Sequence, residues 1–135
     1  MIATLSGILR SKSPTEVLLD VHGVGYAVHI PLSTYAAVGE VGSSVTLLTH
    51  LQVRDDAMVL FGFASENERE MFRMLLGVTG IGPKLAQNIL SGIAASDLRG
   101  LIQSGNASAL TAIPGIGKKT AERIILDLRD KVSGG

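Results

Sequence analysis

The feature that most restricts the fold of this 135-residue chain is a glycine-lysine segment written twice. Thr79-Gly80-Ile81-Gly82-Pro83-Lys84-Leu85-Ala86 returns as Pro114-Gly115-Ile116-Gly117-Lys118-Lys119-Thr120-Ala121, with Gly80 and Gly115 standing 35 residues apart. A short apolar segment precedes each copy, Met74 to Val78 and Ala109 to Ile113, and each copy runs into a second apolar segment at helical spacing. A period of this length marks a reused supersecondary unit, here helix, tight hairpin, helix.

Such a hairpin has a chemical consequence. Glycines at 80, 82, 115 and 117 are expected to take positive φ and bring the backbone close to a ligand, so that successive N–H groups converge on one anion. The helix that follows starts at Pro83 in one copy and Lys118 in the other, and its unpaired N–H groups and positive dipole end point at the same spot. Lys84, Lys118 and Lys119 add charge there. Backbone donors read no base edges, so the site suits nucleic acid held by its phosphates without regard to sequence. One copy alone would read equally as a helix-helix turn with capping glycines and solvated lysines; two copies in register favour a binding unit. Nucleotide motifs fail at the same residues. A P-loop needs glycine where Ala112 stands and Ser or Thr where Lys119 stands, and a dinucleotide fingerprint needs glycine at Leu85 or Thr120.

The first half has the other periodicity. Residues 2–9, 16–21, 25–30, 44–53 and 57–63 are five strand-like runs, separated by turns at Ser11 to Pro14, His22 to Val24 and Arg54 to Asp56. A short helical turn around Ser33 to Val38 between the third and fourth strands matches an OB-type barrel. From Ser65 the period becomes helical: Ser65-x-x-Glu68 reads as a capping box for a helix that buries Met71, Phe72, Leu75 and Leu76. Ser96-Asp97 is expected to start another helix, Asn106 to cap a short one, and Lys118 to Lys131 to form the last, with Ala121, Ile124, Ile125 and Leu128 inward. Val132 to Gly135 reads as the start of a flexible linker. The fold class is therefore α+β and multidomain: an OB-like five-stranded β-barrel over residues 1–63, then an all-α tandem helix-hairpin-helix domain over residues 64–135.

Charge and composition limit the function. Formal net charge is zero, but residues 1–63 hold three basic and five acidic groups, net −2, and the remainder nine basic and seven acidic, net +2. That asymmetry is weak for a DNA binder, so affinity must come from focused contacts and from several copies acting together. No cysteine is present, which removes disulfide and thiol chemistry and suits a reducing cytoplasm. The N-terminus lacks a signal-peptide pattern, and the uncharged stretch Val21 to Gly39 is broken by histidines, Pro31 and glycines, so a soluble protein is expected. His22, His29 and His50 lack metal-ligand spacing and read as structural. Five Tyr and Phe residues fall in apolar patterns, too few for a base-stacking platform.

The joint pattern resembles the N-terminal two thirds of the bacterial RuvA family, the Holliday-junction-binding subunits of the RuvAB branch-migration machinery. The likeness is carried by Val21 to Tyr26, by Thr49-His50 with Val53 to Ala57, by Phe61-Gly62-Phe63, by Gly80 to Ala86 and by Pro114 to Arg123. It implies a non-catalytic scaffold that binds four-way DNA junctions through Gly80, Gly82, Lys84, Gly115, Gly117, Lys118, Lys119 and Arg123. The resemblance implies a homotetramer, to which a second tetramer can add to make an octamer on DNA. No cofactor is implied, since ATP is used by the partner, a RuvB-type hexameric motor engaged through a C-terminal domain outside this chain; a junction resolvase is a further partner. It also gives Asp55 and Asp56 a role. As turn residues they need mean no more than turn chemistry, whereas the resemblance implies an acidic pin at the tetramer centre that repels phosphates and shapes the path of the strands. Metal-binding carboxylates of a nuclease would need further ligands nearby. The competing function is a general duplex-binding helix-hairpin-helix module of a repair enzyme.

Overall fold

The computed structural model describes residues 1–133, which divide into two compact units, Met1–Arg69 and the chain from Glu70 onward. The first unit is a closed barrel of five strands, β1 (Thr4–Lys12), β2 (Glu16–Val21), β3 (Val24–His29), β4 (Ser44–Arg54) and β5 (Ala57–Phe63), with the short helix α1 (Leu32–Ala37) between β3 and β4. The order around the barrel is β1-β2-β3-β5-β4, closed by β4 on β1; β3 and β5 run parallel and the other neighbours antiparallel. This is the OB-like topology. Alternation drives it: in β2, Val17 and Leu19 are buried while Glu16 and Leu18 face out, the two-residue period of a strand with one face in the core. Leu5, Leu9, Val28, Ile30, Val38, Leu47 and Leu60 join them in that core.

The strand limits shift from the sequence expectation by one to three residues in β1, β3 and β4, and the first two turns change with them. β1 continues through Ser11 and Lys12, so the first turn begins only at Ser13. The cause is a bulge: Leu9 pairs with Leu19 but Ser11 with Leu18, leaving Arg10 as the extra residue. Its guanidinium reaches Asp20, Nε to Oδ2 at 3.0 Å, and Asp20 Oδ1 accepts the Gly23 N–H at 2.8 Å. These bonds, the Gly23 one first, hold the Asp20 carboxyl below the usual carboxylate range. The same contacts shorten the second turn to His22-Gly23, both at positive φ and flanked by the pair Val21 and Val24, the geometry of a tight hairpin that matches strand twist.

The helical unit is built from α2 (Glu66–Leu76), which starts in the first unit, and from α3 (Pro83–Gly92), α4 (Ala95–Ser104), α5 (Ala107–Thr111) and α6 (Lys118–Ser133). Met71, Phe72 and Leu75 of α2 are buried as expected and Leu76 half-buried. Asn106 caps α5, its side chain accepting the Ala109 N–H at 3.0 Å, worth about 1 kcal/mol. Ser96-Asp97 does not cap α4; the cap position is Ala94, without a side-chain bond. Nor does α6 stop at Lys131. Val132 is buried and helical, and its carbonyl accepts Arg99 Nη1 at 3.2 Å and Gln103 Nε2 at 3.3 Å from α4, so the expected linker does not begin there; Gly134 and Gly135 lie outside the described residues.

Candidate nucleic-acid interface

The sequence repeat is a repeat of hydrogen bonds. Gly77 N–H to Met74 O, Val78 to Leu75, Ile81 to Val78 and Ala86 to Gly82 recur as Ala112 to Ala109, Ile113 to Leu110, Ile116 to Ile113 and Ala121 to Gly117, all between 2.9 and 3.2 Å. The apolar residues that hold the turns are buried in both copies: Val78, Ile81, Ala86 and Ile89 in one, Ile113, Ile116, Ala121 and Ile124 in the other.

The four hairpin glycines fall into two kinds, which corrects the expectation that all take positive φ. Gly80 (φ 92°) and Gly115 (φ 91°) do, and a side chain at either would be strained. At Gly115 a Cβ would also stand 2.8 Å from Leu85 Cδ1, so the second hairpin packs on the helix of the first. Gly82 is extended at φ −93°, ψ 177°, and Gly117 has no positive φ; at both, a Cβ would meet nothing within 4 Å. Neither the backbone nor the packing requires glycine there. What glycine provides at both places is open access to the main chain at the start of a helix.

That start carries unpaired donors. Ala86 and Ala121 make the first intrahelical bonds, back to Gly82 and Gly117, so the amides of Lys84 and Leu85 in α3 and of Lys118, Lys119 and Thr120 in α6 precede the ladder and have no acceptor within it. Lys84, Lys118 and Lys119 are exposed and take part in no ion pair among the described residues. Arg123 is engaged: its Nε donates to Asp127 Oδ2 at 3.2 Å, one turn further along α6. With Thr79, Lys119 and Thr120 it lines an open depression that joins the two copies. The acid at i+4 was visible in the sequence, but only as one of many charged residues on an exposed helix face.

On the barrel, Asp55 and Asp56 form a two-residue turn, since Arg54 pairs with Ala57 and belongs to β4. β1 leaves β4 after Leu48, and β3 meets β5 only at Leu60 and Phe61. Residues 52–59 are therefore a two-stranded ribbon whose strands pair only with each other, with both aspartates exposed at its tip and Val53 and Met58 facing each other beside them, 62% and 67% exposed. The histidines have structural settings: His29 stands 5.5 Å from the Phe61 ring and 3.7 Å from Glu16, His50 Nε2 lies 3.0 Å from Gln52 Oε1, and His22 occupies its turn. Among the described residues no group of three His, Cys, Asp or Glu could hold a metal, and no helix is long and apolar enough to cross a membrane.

Comparison with known proteins follows the same division. Residues 1–62 match the RuvA N terminal domain, and residues 72–130 the SAM-like helix-hairpin-helix tandem. Relatives named Holliday junction branch migration complex subunit RuvA include those of Methylibium petroleiphilum, 51% identical, and Syntrophotalea carbinolica, 54% identical, each over 132 residues. A third, from Xylella fastidiosa, is 50% identical over 133 residues. Each alignment takes in 98% of this chain, and 69%, 66% and 69% respectively of the relative, so the chain spans about two thirds of the length of the relatives it matches. An identity of this size over 98% of the chain, with residues 1–62 matching the RuvA N terminal domain, places the chain in the RuvA family.

Proposed function

We propose that this chain is a non-catalytic, sequence-independent binder of four-way (Holliday) DNA junctions, working as a homotetramer that a second tetramer can join on DNA, and that it serves branch migration in the cytoplasm with a RuvB-type ATPase as motor. The barrel domain, residues 1–63, supplies assembly and the acidic ribbon; the hairpin domain, from residue 64, supplies phosphate contacts. The observation that carries this reading is the pair of matching hairpins, each with a glycine of unneeded freedom at the mouth of a helix.

A phosphate seated there meets two or more N–H groups, a helix dipole and one or two lysines at once. The hairpins hold two phosphate positions per subunit, and four subunits multiply an interaction that one near-neutral chain could not sustain at physiological salt. Asp55 and Asp56 act with the opposite sign. At the tip of an exposed ribbon they keep phosphates away from the point where strands must part and cross, which favours an open junction over continuous duplex. Competition between a four-way junction and linear duplex of equal length, with light scattering to read assembly, tests the reading. Junction should win and the bound species should be tetramer or larger; equal competition would leave only a general duplex-binding module.

A further inference from the structure

Helix α2 belongs to both compact units, the boundary falling after Arg69. The two residues before that boundary are committed to anchoring. Glu68 Oε2 accepts Ser33 Oγ at 2.7 Å and Thr34 Oγ1 at 3.2 Å, and Oε1 accepts Ser65 Oγ at 3.3 Å. Thr34 is fully buried and its Oγ1 also accepts the Ala64 N–H at 3.3 Å. Arg69 Nη1 donates to the carbonyls of Ala3, at 2.8 Å, and Thr49, at 3.5 Å, while Nη2 pairs with Glu66; the Arg69 side chain is 13% exposed.

A helix start needs much less. In a capping box the Glu side chain returns to the cap residue's own N–H; here the carboxylate reaches out to α1 instead. Immobilising a Glu and an Arg side chain costs conformational entropy that local helix formation does not demand. The two side chains tie the start of α2 to the barrel, Glu68 to α1 and Arg69 to the main chain just before β1 and in the middle of β4.

We propose that Glu68 and Arg69 are positioning residues for junction recognition, fixing the direction in which α2 leaves the barrel without either touching DNA. The inference rests on the junction reading above. Linear duplex needs only the hairpins, whose geometry is local to the helical unit. A junction needs the hairpins and the acidic ribbon to address one DNA molecule, so an α2 released from the barrel should lose selectivity before it loses affinity for duplex.

The test uses the 135-residue chain with Arg69→Met, Glu68→Ala, Glu68→Gln and Ser33→Ala. The measurements are the junction-to-duplex affinity ratio at fixed salt, the salt slope on duplex, and the circular dichroism spectrum. Arg69→Met and Glu68→Ala should lower the ratio about five- to tenfold, a usual coupling between two sites, with the duplex slope unchanged. Glu68→Gln, which keeps an acceptor oxygen, should recover most of the ratio. If Arg69→Met fails to fold, Ser33→Ala removes one donor from outside α2 and should shift the ratio in the same direction. Folded variants that keep the parent ratio, or that weaken junction and duplex by one common factor, would overturn the proposal. A parent protein with no junction preference would instead overturn the functional reading beneath it.

Discussion

The hairpin glycines give the sharpest test, because structure and binding make opposite demands on two pairs that look alike in sequence. Alanine at Gly80 must adopt φ near 92°, a strain of about 1–2 kcal/mol. Alanine at Gly115 carries that strain and also sets a Cβ 2.8 Å from Leu85 Cδ1, so a cost of roughly 2–3 kcal/mol is expected once the leucine shifts. In a unit of this size 1 kcal/mol moves the melting temperature by about 4–8 °C. Gly82 and Gly117 differ: alanine gains unfolded-state rigidity, about 0.4–1 kcal/mol, and loses a similar amount as a poorer cap. Their melting points should barely move. Binding should fall nonetheless, since the new methyl stands in the approach to the helix-start amides, and one charge-assisted hydrogen bond is worth about 1.5–3 kcal/mol, or roughly tenfold to a hundredfold in affinity. Calorimetry and junction titration of the four single variants decide the matter. Parent affinity in Gly82→Ala and Gly117→Ala, with unchanged melting points, would refute the assignment of these amides to phosphate.

Further outcomes follow from the same geometry. The double variant Lys118→Ala, Lys119→Ala should flatten the dependence of log affinity on log salt by about 0.9 for every phosphate that each subunit no longer neutralises, for junctions of any sequence. Replacing Asp55 and Asp56 by Asn should hold or tighten binding while lowering the junction-to-duplex ratio; an unaltered ratio with a melting shift of several degrees would reduce them to turn residues. A folded monomeric variant should bind junctions far more weakly than the parent, read by light scattering and titration together. Asp20, whose carboxyl lies below its ordinary value of 3.8, contributes stability that is present above that value and lost as pH falls through the lower folded one. Acid unfolding of Asp20→Asn should lack that component, and parallel acid curves for the two proteins would show the Arg10 and Gly23 bonds to be idle.

Much of this was legible in the chain. The switch from two-residue to helical periodicity near Ser65 locates the change from strands to helices, and the doubled glycine segment gives both hairpins. Two of the misplaced limits share a cause: they depend on structure that the local string does not carry. Pro14 suggests a turn starting at Ser11, but β1 runs on because the Arg10 bulge is held by Asp20 on the neighbouring strand. Ser96-Asp97 has cap chemistry, yet Ile93 and Ala94 are both extended and the next helix begins directly after them. Val132 lies four residues beyond Leu128 on the buried stripe of α6, a signal that was present and outweighed by the Ser-Gly-Gly that follows; Arg99 and Gln103 then secure its carbonyl.

The two kinds of hairpin glycine were beyond the sequence altogether, because Gly-Ile-Gly is the same string whichever glycine bends the chain and whichever only clears space. Net charge misleads for a related reason. A formal charge of zero counts Arg10, Arg69 and Arg123 as cations, although each is paired with a carboxylate. The lysines at the helix starts are exposed and unpaired among the described residues. What a polyanion meets is not the sum over the chain but the charge left free beside unpaired amides. On the function proposed above, the exposed lysines beside the helix-start amides attract phosphate at two places, and the exposed aspartates at the tip of the ribbon refuse it at a third.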